Sequence, residues 1–481
     1  MACSHSTFRR NLIILFLCFF TTATTTLAQV PANATFKFVN QGEFGDRIIE
    51  YDASYRVIRN DVYTFYTFPF RLCFYNTTPD AFIFAIRAGI PGDESLMRWV
   101  WDANRNHPVR ENATLSFGRN GNLVLADVDG RVVWQTNTAN KGVTGIKMLP
   151  NGNLVLHDRK GSFIWQSFDY PSDTLLVGQS VRINGRNKLI SRTSDIDGSD
   201  GKYSIVLEKN GFPMYINNSG ELLLYGGWPG QEFGTTVTFD AVPDNDNATS
   251  YELVLSINQD SAPPPNRRLL QVRPIGNGGQ RNLNQLNYNA TYSFLRLDSD
   301  GNLRAYTYYE KVSYLRWAES FAFFSSYFIR ECALPSKCGS YGLCDRRMCV
   351  ACPSPNGLLG WSESCAPPKL APCKSGGAAK VDYYKLVGVE HFMSPYEDLA
   401  KGPMKVEECK AKCDKDCKCL GFFYREDISK CLLAPLLGTL IKDAASDTNS
   451  VGYINEVHVH FKLTVYDVKS SQASLSNSQL F

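Results

Sequence analysis

The chain has no excess of charge of either sign. Lys and Arg number 50 against 47 Asp and Glu, a formal net charge of +3, so it carries no electrostatic footprint for nucleic acid or an anionic membrane surface. Histidine is scarce at six residues, and His107, His157, His391, His458 and His460 form no metal-ligand constellation. No Gly-x-Ser-x-Gly elbow, His-Glu-x-x-His, P-loop or dinucleotide-binding glycine fingerprint is present. These absences point away from catalysis, a cofactor or a metal. Beyond the N-terminus no stretch is long and apolar enough to span a bilayer. The tail from Ser470 to Phe481 is polar and lacks the hydrophobic end of a lipid-anchor signal. Cysteine is also rare until Cys332.

What is present describes a folded extracellular chain. Of 481 residues 44% are hydrophobic and 20% charged, which supports packed cores. Aromatics at 12%, with 36 Gly and 23 Pro, favour short strands and turns. Arg9 and Arg10 precede an apolar run from Leu12 to Phe20 and small residues ending at Ala28. That is the order of a secretory signal peptide over residues 1–28. Six Asn-x-Ser/Thr sequons follow, at Asn33, Asn76, Asn112, Asn217, Asn247 and Asn289. Twelve of the thirteen cysteines past the signal fall between Cys332 and Cys431. In an oxidising compartment that clustering reads as disulfide-stapled small modules. Cys73 is left over, either as a buried free thiol or as an intermolecular partner.

The first half contains a repeat. Asn120-Gly121-Asn122-Leu123-Val124-Leu125, with Asp127 and Trp134-Gln135, recurs 31 residues later as Asn151-Gly152-Asn153-Leu154-Val155-Leu156, Asp158 and Trp165-Gln166. A degenerate earlier unit ends at Val100-Trp101-Asp102. Asn-Gly between alternating apolar residues is a hairpin turn. Small antiparallel sheets of this kind cannot bury their faces alone and must pack about a shared axis, with the tryptophans as the central core.

These residues resemble the bulb-type, mannose-binding lectin domain, a β-prism of three sheets. The whole layout resembles secreted plant S-domain glycoproteins, closest to the epidermis-specific secreted glycoprotein group. The resemblance implies an all-β chain with small disulfide-rich modules. It places a lectin domain at 41–168, a second, diverged lectin-like domain at 169–325, an EGF-like module at 328–368, a PAN/apple domain at 373–454 and a tail at 455–481.

The family's sugar motif is Gln-x-Asp-x-Asn-x-Val-x-Tyr, with polar groups on alternate strand positions and Val as an apolar floor. In the first copy its places hold Gly118, Asn120, Asn122, Val124 and Ala126. In the second they hold Leu149, Asn151, Asn153, Val155 and His157. The candidate carbohydrate-binding residues are therefore Asn120, Asn122, Val124, Asn151, Asn153 and Val155, in a degraded motif. Each lost polar group removes a hydrogen bond worth about 0.5–1.5 kcal/mol. The favoured reading is that Asn-Gly-Asn serves the turn.

Asn218 to Tyr225 and Asp298 to Tyr306 sit like the same hairpin. Each keeps the motif Tyr, but Glu221 replaces Asn in one and Arg304 replaces Val in the other. The Asp195-to-Gly201 run starts like a calcium loop, but Asp200 stands where that loop needs Gly, so it reads as a turn. Cys332, Cys338, Cys344, Cys349, Cys352 and Cys365 fit the EGF-like module. The resemblance implies first-third, second-fourth and fifth-sixth pairing, whereas spacing alone leaves all connectivities open. Cys409, Cys413 and Cys417 are spaced by four, which predicts one helical face carrying all three. The PAN resemblance implies Cys409–Cys431 and Cys413–Cys419 bridges. The expected function is a non-catalytic apoplast or cell-wall glycoprotein that binds wall polysaccharide, glycoprotein glycans or wall proteins. The alternative is a soluble decoy or co-receptor for receptor ectodomains, since no membrane span or kinase is expected in this chain.

Overall fold

The computed structural model describes residues 29–90, 96–231, 233–244, 249–258, 279–325, 330–367, 369, 382–396, 398–442 and 450–456. The signal peptide expected over residues 1–28, Asn247, the proline run at 263–268, Cys373 and the His458-x-His460 run lie outside these residues.

Short strands joined by turns build three sheets from the first part of the chain, some alternating in burial, such as Leu123–Ala126, and others buried on both faces, such as Ile83–Ala88. Phe36–Val39, Thr114–Phe117, Leu123–Ala126 and Val132–Gln135 form one. Ser54–Val57, Phe70–Asn76, Ile83–Ala88 and Arg98–Asp102 form the second, with Tyr66–Thr67 paired to the Phe70 strand. Gly145–Met148, Leu154–His157 and Phe163–Gln166 form the third. Each sheet sends one tryptophan to a shared centre from the same register: Trp101 opposite Ile86, Trp134 opposite Leu125, and Trp165 opposite Leu156. The three rings meet pairwise at 6.0, 6.2 and 5.7 Å between centroids, each pair edge to face, which suits the aromatic quadrupole. The Asn-Gly turns need glycine: φ is +79° at Gly121 and +83° at Gly152. A Cβ on Gly152 would also come within 2.9 Å of the Phe70 ring.

A second set of three sheets follows, all four-stranded. Thr174–Leu176, Ser180–Arg182 and Lys188–Arg192 come first in sequence, and each takes the edge of a different sheet. They complete, respectively, the meanders Ser293–Leu297/Leu303–Tyr308/Trp317–Ala322, Thr236–Pro243/Tyr251–Asn258/Gln280–Leu286, and Asp200–Val206/Gly211–Asn218/Glu221–Pro229.

Buried ions join the two sets. Arg105 lies 3.0 Å from Asp102 and 2.7 Å from Asp173, and Arg192 lies 2.7 Å from Asp102 and 3.1 Å from Asp173. Beside them Arg296 of the second set lies 2.6 Å from Glu50 of the first. Ions removed from water are tolerable only when paired this closely, and each then depends strongly on its partner.

The disulfide-rich part is built on two sheets. Tyr341–Asp345 runs parallel to Gly438–Lys442 in a five-stranded sheet that also holds Gly357–Gly360, Met348–Ser354 and Val389–His391. Residues from both stretches read as separate small modules thus share one sheet. The other sheet contains Asp382–Val387, Ser450–Glu456, Gly421–Arg425 and Lys430–Ala434. Disulfides join Cys332 to Cys344, Cys338 to Cys349, Cys352 to Cys365, Cys409 to Cys431 and Cys413 to Cys419. The helix predicted to carry three cysteines carries two. It spans Val406–Lys415, and at Asp416 the backbone turns extended (φ −100°, ψ 107°), so Cys417 lies beyond its end. One apolar cluster runs from Leu175 and Tyr225 through Tyr341 and Phe392 to Ile454, fusing the second set of sheets to the disulfide-rich part.

Candidate functional site

The repeat places Asn122 and Asn153 at equivalent points, just after the hairpin turn and facing the last strand of their sheets. Both are buried. Asn122 Nδ2 donates to Gln135 Oε1 at 2.8 Å, and its Oδ1 accepts from Thr136 Oγ1 and the Thr138 amide, each at 3.0 Å. Asn153 repeats this with Gln166 at 2.9 Å, Ser167 Oγ at 3.1 Å and the Phe168 amide at 3.2 Å. Asn120 and Asn151 are exposed, and each accepts its hairpin's Asn amide through Oδ1. Val124 is half-buried and Val155 is 1% exposed. The turns bring Asn120 to Asn122 and Asn151 to Asn153, while Val124 and Val155 lie further along the strands, and the amide functions of the two inner asparagines are engaged within the hairpins.

The equivalent hairpin at Asp298 to Tyr306 is different. Asn302 is again a buried clamp, exchanging two 3.0 Å bonds with the Phe324 backbone. Around it charge accumulates. Arg304 lies 2.8 Å from Asp298, 2.7 Å from Asp300 and 3.2 Å from Glu319, and Tyr306 donates its hydroxyl to Asp298 at 2.9 Å. Burial pushes the Asp298 carboxyl up to about 6, against the opposing pull of Arg296 and Arg304.

This hairpin forms one wall of a cleft of about 770 Å³, with Glu319 and Phe321 on the neighbouring strand. Glu331 and Lys337, paired at 2.9 Å, supply the opposite wall from the disulfide-rich part. Asp300 and Glu319 remain 43% and 52% exposed at the side chain, so both carboxylates keep acceptor capacity toward solvent. Asp300, Arg304 and Glu319 were not candidates from the sequence. The available signal was the hairpin itself, in which Asp300, Asn302 and Tyr306 hold the motif's Asp, Asn and Tyr places.

The sequons are not equivalent. Asn33, Asn112, Asn217 and Asn289 are exposed, whereas Asn76, at the end of a central strand, is 9% exposed. Among the described residues no group of three or more His, Cys, Asp and Glu is placed to hold a metal ion, and no helix is long and apolar enough to cross a membrane.

Three-sheet units with hairpin repeats define a lectin-type fold, and residues 98–194 match the family model described as D-mannose binding lectin. Over a longer span, EP1-like glycoprotein 2 of Arabidopsis thaliana is 63% identical across 440 residues, 90% of this chain and 96% of its own. The epidermis-specific secreted glycoprotein EP1 of Daucus carota is 46% identical across 382 residues, 75% of this chain and 92% of its own. The chain belongs to the family of EP1-like secreted glycoproteins. More distantly, a G-type lectin S-receptor-like serine/threonine-protein kinase of Arabidopsis thaliana is 24% identical across 379 residues, 75% of this chain but 41% of the kinase.

Proposed function

We propose that this glycoprotein is a non-catalytic carbohydrate-binding component of the plant cell wall, and that it holds glycans in the cleft beside Arg304 rather than at the Asn-Gly-Asn hairpins. The observation that carries this reading is the make-up of that cleft. Phe321, 5% exposed, backs a cleft lined by the half-exposed carboxylates of Asp300 and Glu319 and by the cations of Arg304 and Lys337. An apolar surface with a few fixed polar groups is what a sugar-sized ligand requires. At the hairpins the inner amides of Asn122 and Asn153 are already engaged, and only the outer asparagines Asn120 and Asn151 face solvent. The disulfide-rich part, read as EGF-like and PAN modules, supplies the opposite wall and adds further weak contacts whose combination raises retention by avidity.

A second reading is favoured by the similarity to receptor-kinase ectodomains over 75% of this chain: a soluble partner or decoy that pairs with such ectodomains. Retention of the purified protein on washed wall material at 1 M salt, where exposed charge pairs are screened to about 3 Å, separates the two. Polysaccharide binding persists there and is lost in Glu319→Gln. Binding that needs a receptor ectodomain, with none to wall polysaccharide, would support the second reading instead.

A further inference from the structure

A second cavity, of about 620 Å³, lies at the far end of the strand Phe70–Asn76, and all three residues of one sequon, Asn76, Thr77 and Thr78, line it. We propose that Asn76 carries an N-linked glycan and that the first N-acetylglucosamine of this glycan is held inside the cavity as part of the folded protein.

Three observations converge. The first is burial. Asn76 is 9% exposed, while the sequon asparagines Asn33, Asn112, Asn217 and Asn289 face solvent. A sugar on Asn76 therefore has to occupy the space beside it, and the cavity is that space.

The second is the hydrogen bonding of the Asn76 amide. Its Nδ2 donates to the Thr78 carbonyl at 3.2 Å. A glycosylated amide nitrogen keeps one N–H, which is free to serve this carbonyl. Among the described residues its Oδ1 is buried without a protein partner, which leaves a desolvated acceptor uncompensated. The 2-acetamido N–H of the attached sugar is a donor of the required kind.

The third is the lining. Phe44 stacks on Phe82 at 6.2 Å and 16°, and the Arg56 guanidinium lies 4.1 Å from the Phe44 ring centroid. The ring is held rigid while Phe44 stays 46% exposed, a flat surface for the C–H face of a pyranose. Asp52, Asp80 and Glu111 line the same space and supply acceptors for sugar hydroxyls.

Burial is no obstacle to attachment, because the glycan is added to the unfolded chain. Asn76 Nδ2 displaces pyrophosphate from the anomeric carbon of a lipid-pyrophosphate-linked oligosaccharide. The N–C1 bond forms and the C1–O bond breaks. The lipid pyrophosphate leaves with the electron pair, and one amide proton is given up to base. The fold then closes around the sugar.

The test is site-by-site glycopeptide mass spectrometry on the full secreted protein, before and after treatment with an amidase that releases N-glycans. Asn76 is expected to be occupied. In the native protein its glycan should be released at least about tenfold more slowly than those on exposed sites, because release needs local opening. The rates should converge after denaturation and reduction. Phe44→Ala should bring native release at Asn76 toward that at Asn217 without changing Asn217 itself. An unmodified Asn76, or native release as fast as at Asn217, would overturn the proposal. So would loss of protection in Asn112→Gln, because it would make the neighbouring Asn112 glycan the occupant; unchanged protection in that variant supports it.

Discussion

Arg192, on an edge strand of the second set of sheets, places Nη2 2.7 Å from Oδ2 of Asp102, at the end of an edge strand of the first. Arg105 and Asp173 complete a buried four-ion cluster, and burial is opposed at Asp173 by Arg105, Arg192 and Arg296, which hold its carboxyl well below the usual range. Removing one member leaves an uncompensated buried charge. Arg192→Ala is expected to cost about 3–5 kcal/mol, read as a lower midpoint in denaturant unfolding. A change under 1 kcal/mol would show that the cluster does not hold the two sets together.

The clamp asparagines are expected to be structural. Asn153→Ala leaves the buried Ser167 hydroxyl and the Phe168 amide without an acceptor, and Asn122→Ala leaves the Thr138 amide without one while the Thr136 hydroxyl keeps Thr138 Oγ1 as a partner, each at a cost of about 1–3 kcal/mol. Thermal melts of both variants should fall, since each clamp's Oδ1 accepts from one hydroxyl and one backbone amide. An unchanged melt would contradict the clamp geometry.

His391 gives the fold an acid-sensitive element. Burial pushes its imidazole down to about 4, against hydrogen bonds to the Leu436 and Leu437 backbone that raise it. The neutral ring is bonded on both sides, with Nε2 2.8 Å from the Leu436 carbonyl and Nδ1 accepting from the Met393 amide at 3.2 Å. The unfolded chain, with its histidine near the ordinary value of about 6.5, binds the proton first. This contribution is therefore complete above about pH 6.5 and is lost as pH falls toward 4. Melts recorded between those limits should show the loss, and His391→Gln should flatten it. An equal slope in the variant would assign the acid sensitivity elsewhere.

Cys73 is fully buried in its strand, and burial pushes its thiol up to about 11. It should be unreactive toward thiol reagents in the native protein near pH 8 and react once the chain unfolds without reductant. A native chain that labels at Cys73, or a disulfide-linked dimer through it, would contradict this placement.

Much of the lectin-type part is legible in the sequence, because it is written locally. Asn120-Gly121 and Asn151-Gly152 announce turns that only glycine closes without strain, and the spacing to Trp134 and Trp165 fixes a register that brings both to one axis. The helix after Lys405 is also local, yet its end is not. Spacing by four extends the pattern to Cys417, while the backbone leaves the helix at Asp416. The parallel pairing of Tyr341–Asp345 with Gly438–Lys442 has no local signal, since neither strand records its partner. The cleft was missed for the same reason: Arg304 and Glu319 meet Glu331 and Lys337 only after the second set of sheets has docked on the disulfide-rich part. The motif drew attention to Asn122 and Asn153, where residue identity survives but the amides are engaged internally.

Glycan held at the cleft and not at the hairpins is a difference that binding itself can read. Its most direct measurement is binding of the purified glycoprotein to an array of mannosides and plant cell-wall polysaccharides. Asp300→Asn, Glu319→Gln, Asn122→Ala and Asn153→Ala should be assayed side by side, with the melt of each recorded. Polysaccharide binding that free mannose does not compete is expected, weakened at least about tenfold, or 1.4 kcal/mol, in the two cleft variants and retained in the two hairpin variants. Mannose-competed binding that is lost in Asn122→Ala or Asn153→Ala and kept in Glu319→Gln would contradict it.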